Sequence, residues 1–266
     1  MKYLNNITFF LMLVFLILGL KSQAQTCSVT VTPTSSTICP GNSATLTASL
    51  VGASYTWTPA GSLNSTSGTS VIATPTATTV YTVTVYYNSA AQRLAAGAGG
   101  GSSPLSICTA VKTVTVTVSA KPVVTITPTS TTICSGKSLS LTAGGASTYS
   151  WSPSVGLNAT TGTTVTANPT VNTTYTLIGQ STSTGCTASA TSAIIVNTPT
   201  LTINSPTVAI CIGNSTTLTV TGNGTSYSWT PGTGISSTTG ASVVANPTVN
   251  TTYTVTATLG SCTTST

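Results

Sequence analysis

After residue 25, apolar and polar residues alternate in short runs, punctuated every 8 to 12 residues by clusters of Gly, Pro, Asn and Ser. That is the signature of strands with one buried and one wet face. The cleanest run is 111–118, where Val114, Val116 and Val118 face one way and Thr113, Thr115 and Thr117 the other. The same reading places strands at 26–32, 44–48, 54–58, 69–74 and 80–87, and another at 188–196. No stretch after the first 24 residues has a helical period, so an all-β sandwich or barrel is expected.

The pattern recurs. Cys39, Trp57, Pro75 and Tyr81 return as Cys134, Trp151, Pro169 and Tyr175, then as Cys211, Trp229, Pro247 and Tyr253. Trp to Pro is 18 residues in every copy and Pro to Tyr is 6. Fixed spacing inside a block and variable spacing between blocks mark one module repeated in tandem. The expected organisation is repeat one at 25–119, repeat two at 120–197 and repeat three at 198–266. Repeat one carries an insertion at 88–107, rich in Gly, Ala and Ser around 95–103: Tyr81 to Cys108 is 27 residues, whereas Tyr175 to Cys186 is 11. Repeat three shows no counterpart of the final strand after Cys262, so it is expected to be incomplete and to expose a sheet edge. More repeats in a longer array, or strand-mediated self-assembly, would cover that edge.

Two residues point to an immunoglobulin-like sandwich. A Trp on the third strand (Trp57, Trp151, Trp229) suits the space between the sheets, and a Tyr opening a later strand (Tyr81, Tyr175, Tyr253) suits a tyrosine corner. These six are the expected structural core. Ahead of them, residues 1–24 read as a cleaved secretory leader: Lys2, an apolar run from Ile7 to Leu20, and small residues at Ser22 and Ala24.

Composition narrows the chemistry. The chain has six Lys or Arg and no Asp, Glu or His, for a formal net charge of +6. Without those side chains there is no His-based triad, no carboxylate acid or base, and no acidic Ca²⁺ loop. No enzyme activity, catalytic residue, metal site or cofactor is expected. Behind the leader the cations reduce to Arg93, Lys112, Lys121 and Lys137, too scattered for a nucleic-acid stripe.

Longer motifs link the repeats: Ile210-Cys211-Ile212-Gly213 followed by Ser215-Thr216-Thr217-Leu218-Thr219, Tyr-x-Trp-x-Pro, Thr-Thr-Gly, and Asn-Pro-Thr-x-Asn-Thr-Thr-Tyr-Thr-Val. With Gly-Cys-Thr before the last strand, they resemble the Ig-like or PKD-like repeats of secreted surface proteins and adhesins of gliding Bacteroidetes. The resemblance implies type IX secretion and a place at or beyond the cell surface.

Seven cysteines in an exported protein imply disulfides: Cys27, Cys39, Cys108, Cys134, Cys186, Cys211 and Cys262. Pairing within repeats would join Cys39 to Cys108, Cys134 to Cys186 and Cys211 to Cys262, leaving Cys27. In an Ig-like order, however, Cys134 and Cys186 lie at opposite ends of a strand spanning ~26 Å, beyond the ~7 Å that a disulfide allows between Cα atoms. Pairing between repeats would instead join Cys27 to Cys108, Cys39 to Cys186 and Cys134 to Cys262, leaving Cys211. Both pairings are compatible with the sequence.

The expected function is that of an extracellular structural and adhesive repeat protein, a stalk or fibre segment. Its expected partners are adjacent repeats and extracellular polysaccharide or another cell-surface component. The alternative is a module that binds glycan or another surface through loops such as 88–107. Ice binding by the Thr rows is a distant third, because sandwich sheets twist.

Overall fold

The computed structural model describes residues 27–50, 53–88 and 107–266, apart from the side chains of Asn88 and Ile107. The leader at 1–24, the interior of the 88–107 insertion and Arg93 lie outside the described residues. Two compact units divide the chain, residues 1–120 and 121–266.

The first unit contains β1 (Thr30–Thr32), β2 (Ser35–Ile38), β3 (Ala44–Ser49), β4 (Ala53–Thr58), β5 (Ser70–Ala73), β6 (Thr79–Asn88) and β7 (Ile107–Val118). They form two sheets, β1-β3-β5 and β2-β7-β6-β4. Pairings are antiparallel except that of β2, which lies parallel to β7. The alternation read from sequence is what builds this: Ala44, Leu46 and Ala48 of β3 are buried while Thr45, Thr47 and Ser49 are exposed. Each fully buried Leu, Val or Ile contributes about 1.5–3 kcal/mol. Asn88 and Ile107, expected at the edges of the insertion, pair with each other as the last residue of β6 and the first of β7.

The second unit repeats the plan twice. Its first sandwich contains β8 (Thr125–Thr127), β9 (Ser130–Cys134), β10 (Leu139–Gly144), β11 (Thr148–Ser152), β12 (Thr164–Ala167), β13 (Thr173–Gln180) and β14 (Thr187–Asn197). These pair as β12-β10-β8 and β11-β13-β14-β9. The following strands are β15 (Leu201–Ile203), β16 (Thr216–Gly222), β17 (Ser226–Thr230), β18 (Ser242–Ala245), β19 (Thr254–Leu259) and β20 (Cys262–Ser265), in sheets β15-β16-β18 and β17-β19-β20. The protein is therefore all-β, built from tandem Ig-like sandwiches around three separate hydrophobic clusters. One expectation is corrected: the last strand of repeat three is not missing. It is present as the four residues of β20, against eleven in β14, and pairs with β19 through Cys262 to Ser265.

Trp57, Trp151 and Trp229 are buried between the sheets, and each indole N–H donates to a glycine carbonyl eleven residues on: Gly68 at 3.0 Å, Gly162 at 3.0 Å and Gly240 at 2.9 Å. A buried indole nitrogen needs such a partner. All three glycines have positive φ, between 102° and 108°. The recurring Thr-Thr-Gly is thereby explained, because side-chain-bearing residues are strained at that backbone angle. Added at Gly162, a Cβ would meet nothing nearer than 3.9 Å, so only the backbone objects. We therefore expect Gly162→Ala to lower the stability of repeat two by about 1–3 kcal/mol in denaturant unfolding followed by Trp fluorescence. An unchanged midpoint would contradict this account of the motif.

Candidate functional site

Without acids or histidines, what the chain offers in place of reactive groups is a set of fixed junctions. Among the described residues no group of three or more Cys, His, Asp or Glu is placed to hold a metal ion. Lys112, Lys121 and Lys137 are each exposed. The burial of the three tryptophans leaves no ring face for stacking on a sugar.

The tyrosines tie a loop to the sheet. Tyr81 and Tyr175 are fully buried, whereas Tyr253 is half-buried. The Tyr175 hydroxyl donates to Val155 O at 2.9 Å, Tyr253 donates to Thr233 O at 2.9 Å, and Tyr81 meets the Ser62 hydroxyl. Partners about 20 residues upstream differ from a tyrosine corner, whose hydroxyl bonds the backbone a few residues away. The loop after the Trp strand folds over this Tyr, so the expected corner is instead a pin across the sandwich. Burial raises the Tyr175 pKa above the ordinary 10.0, so its hydroxyl stays protonated as a donor at neutral pH. A second tyrosine, in the Tyr-x-Trp motif, escaped the sequence reading. Tyr55, Tyr149 and Tyr227 donate to the carbonyls of Leu50, Ala146 and Gly222 at the preceding hairpin.

The cysteines converge where repeat two meets repeat three. Parallel pairing of β9 with β14 sets Cys134 beside Asn197, the last residue of β14. Gly260, at φ +61, lies in the tight turn between Leu259 and Cys262, and Cys262 is buried. Cys134 and Cys262 are joined, with Cα atoms 5.4 Å apart. Beside the bond, Asn197 Nδ2 donates to Leu259 O at 3.3 Å, and a Cβ on Gly260 would come within 3.0 Å of that nitrogen.

The linker itself is strapped down. Asn223 accepts from Thr200 N at 2.7 Å and donates through Nδ2 to Thr198 O at 2.9 Å. Gly222 lets this happen, since a Cβ there would lie 2.0 Å from Thr200 O. No sequence signal marked Asn223; its role depends on a turn meeting a linker 23 residues away.

In the first unit Cys27 is joined to Cys108, with Cα atoms 6.0 Å apart. Cys39 and Cys186 are not free thiols, and Cys211 is exposed and free. Pairing within repeats is thereby corrected: Cys108 is not joined to Cys39, Cys134 to Cys186, or Cys262 to Cys211. The reason is length. Cys134 pairs with the far end of β14 while Cys186 precedes its first residue, and eleven extended residues span far more than the ~7 Å limit.

No family model matches the chain, and no curated protein matches it. Among solved structures it is similar to an I-band fragment of titin, at TM-score 0.42 and 13% identity over 91% of this chain and 97% of that one. It is also similar to the three N-terminal domains of the highly immunogenic outer capsid protein of bacteriophage RB49, at TM-score 0.36 and 18% identity over 90% and 94%. Extracellular domains 3–5 of Drosophila OTK match at TM-score 0.35 and 10% identity over 87% and 92%. The Ig-like assignment rests on the strand order and register described above.

If the bond between Cys134 and Cys262 braces both repeats, replacing the pair by serine lowers stability by about 2–5 kcal/mol in guanidinium unfolding. Cys211→Ser leaves it unchanged, because that thiol is exposed and unbonded. Equal midpoints for the double variant and the parent would contradict the bracing.

Proposed function

We propose that this chain is an extracellular structural and adhesive array, a stalk or fibre segment of a cell-surface adhesin. The observation that carries the reading is the covalent joint between Cys134 and Cys262, which links the end of one sandwich to the next. Disulfides of this kind persist in oxidising compartments outside the cytosol, which supports secretion. The motif resemblance to gliding-Bacteroidetes surface repeats supports export by the type IX route and adjacent repeats as partners. The exposed strand faces carry Thr and Ser in place of charge, as in Thr45, Thr47 and Ser49, a neutral coat suited to surfaces rich in polysaccharide.

A stalk must pass tension without lengthening. The bond makes residues 135–261 a closed loop that tension bypasses, because force entering at Cys134 leaves at Cys262. Single-molecule pulling between handles at Lys121 and Thr266 tests this. The parent chain is expected to stay short, whereas the variant with Cys134→Ser and Cys262→Ser releases roughly 450 Å more, the extended length of 128 residues. Equal extensions would remove the main support for a stalk.

A further inference from the structure

The hairpin between β16 and β17 carries the one Asn-Gly step in the chain, Asn223-Gly224. The fold asks for both residues. Asn223 holds the linker from repeat two: its Oδ1 accepts from Thr200 N at 2.7 Å, its Nδ2 donates to Thr198 O at 2.9 Å, and its backbone N donates to the Thr200 hydroxyl at 3.2 Å. Gly224 answers to packing, since a Cβ there would come within 3.0 Å of the Ala257 side chain and 3.3 Å of the carbonyl oxygens of Ser226 and Thr258. The corresponding hairpin of repeat two does without an amide. Its turn reads Gly144-Gly145-Ala146, and Gly145, at φ +87, lies so close to the preceding linker that a Cβ would overlap Val123 O.

Asn-Gly is the step at which a polypeptide most readily hydrolyses its own side-chain amide, because glycine sets no side chain in the way of its nitrogen approaching the preceding Cγ. The Gly224 nitrogen bonds to Asn223 Cγ, the bond from Cγ to Nδ2 breaks, and the amide leaves as ammonia with the proton that Gly224 N gives up. Water then opens the cyclic imide at either carbonyl, giving aspartate or, with the main chain routed through the side-chain carbon, isoaspartate. The net change is water consumed and ammonia released. Asn223, Thr198 and Thr200 are all exposed, so water reaches the site. What opposes the reaction is the strap itself: with both ends of the amide tied to the linker, Cγ is not free to turn toward Gly224 N.

We propose that Asn223 is a self-modification site that releases the linker between repeats two and three irreversibly, at a rate set by how often its two side-chain hydrogen bonds open. In the aspartate product Thr198 O loses its donor and faces a carboxylate oxygen instead. In the isoaspartate product the main chain is one carbon longer and the side chain one shorter, so the paired contacts with Thr198 and Thr200 are lost together. Either product places a carboxylate side chain in a sequence that holds no Asp or Glu. The bond between Cys134 and Cys262 is untouched, so the repeats stay tethered while the linker comes free.

The test keeps the full chain in warm, mildly alkaline buffer, folded or unfolded in guanidinium, and follows the amide-to-acid mass gain at residue 223 by peptide mapping. Conversion is expected in both, about tenfold or more slower in the folded chain, as two hydrogen bonds that must open first require. Gly222→Ala, whose Cβ would overlap Thr200 O and push the linker away, is expected to bring the folded rate most of the way to the unfolded one, with hydrogen exchange in β13 unchanged to show that the variant is folded. In the converted chain amide exchange is expected to quicken at 200–203 while β13 keeps its protection. Equal rates in the folded and unfolded parent, no conversion in the folded chain, a folded Gly222→Ala rate equal to the parent's, or unchanged exchange at 200–203 would each overturn the proposal.

Discussion

In the first two sandwiches the last strand pairs on both of its edges, and this is the constraint on which the other features depend. In repeat two, β14 bonds β13 antiparallel and β9 parallel. The first pairing buries Ser192 and Ile194 beside Tyr175; the second fixes Cys134 next to Asn197. A single strand thus closes the core, seats the tyrosine pin and delivers a cysteine to the joint with the next repeat. A one-residue slip would turn all of these side chains to the opposite face.

Repeat three shows the dependence from the other side. Its β20 holds the register long enough to bury Cys262, the residue that answers Cys134. There 207–211 and 251–253 lie outside strands and Tyr253 is only half-buried. Yet Tyr253 keeps its hydrogen bond to Thr233 O. The pin and the strand are separate devices, one holding the loop and the other covering the ring.

Much of this was legible because burial writes a period of two into the sequence. Trp57, Trp151 and Trp229 stand out as rare aromatics at fixed spacing, and the core positions of β3 and β7 follow from alternation alone. Less legible were β2 and β9. Ser35–Ile38 and Ser130–Cys134 are short and rich in Ser and Thr, and they are strands because β7 and β14 present a free edge to them. Thr-Thr-Gly was visible as a motif, but its reason, a carbonyl turned toward an indole by a positive-φ glycine, requires the third dimension. Asn223 and Asn197 had no local signal, since each acts on a segment that only the fold brings near. The distinction between a tyrosine corner and a pin was likewise set by where the loop after β4, β11 or β17 folds, which strand spacing does not specify.

The central claim is that the bond between Cys134 and Cys262 braces the joint between the second and third sandwiches. Proteolysis without reduction, followed by mass spectrometry of the linked peptides, tests it most directly. The account predicts one peptide pair joining Cys134 to Cys262 and another joining Cys27 to Cys108. A pair joining Cys134 to Cys186 would contradict it.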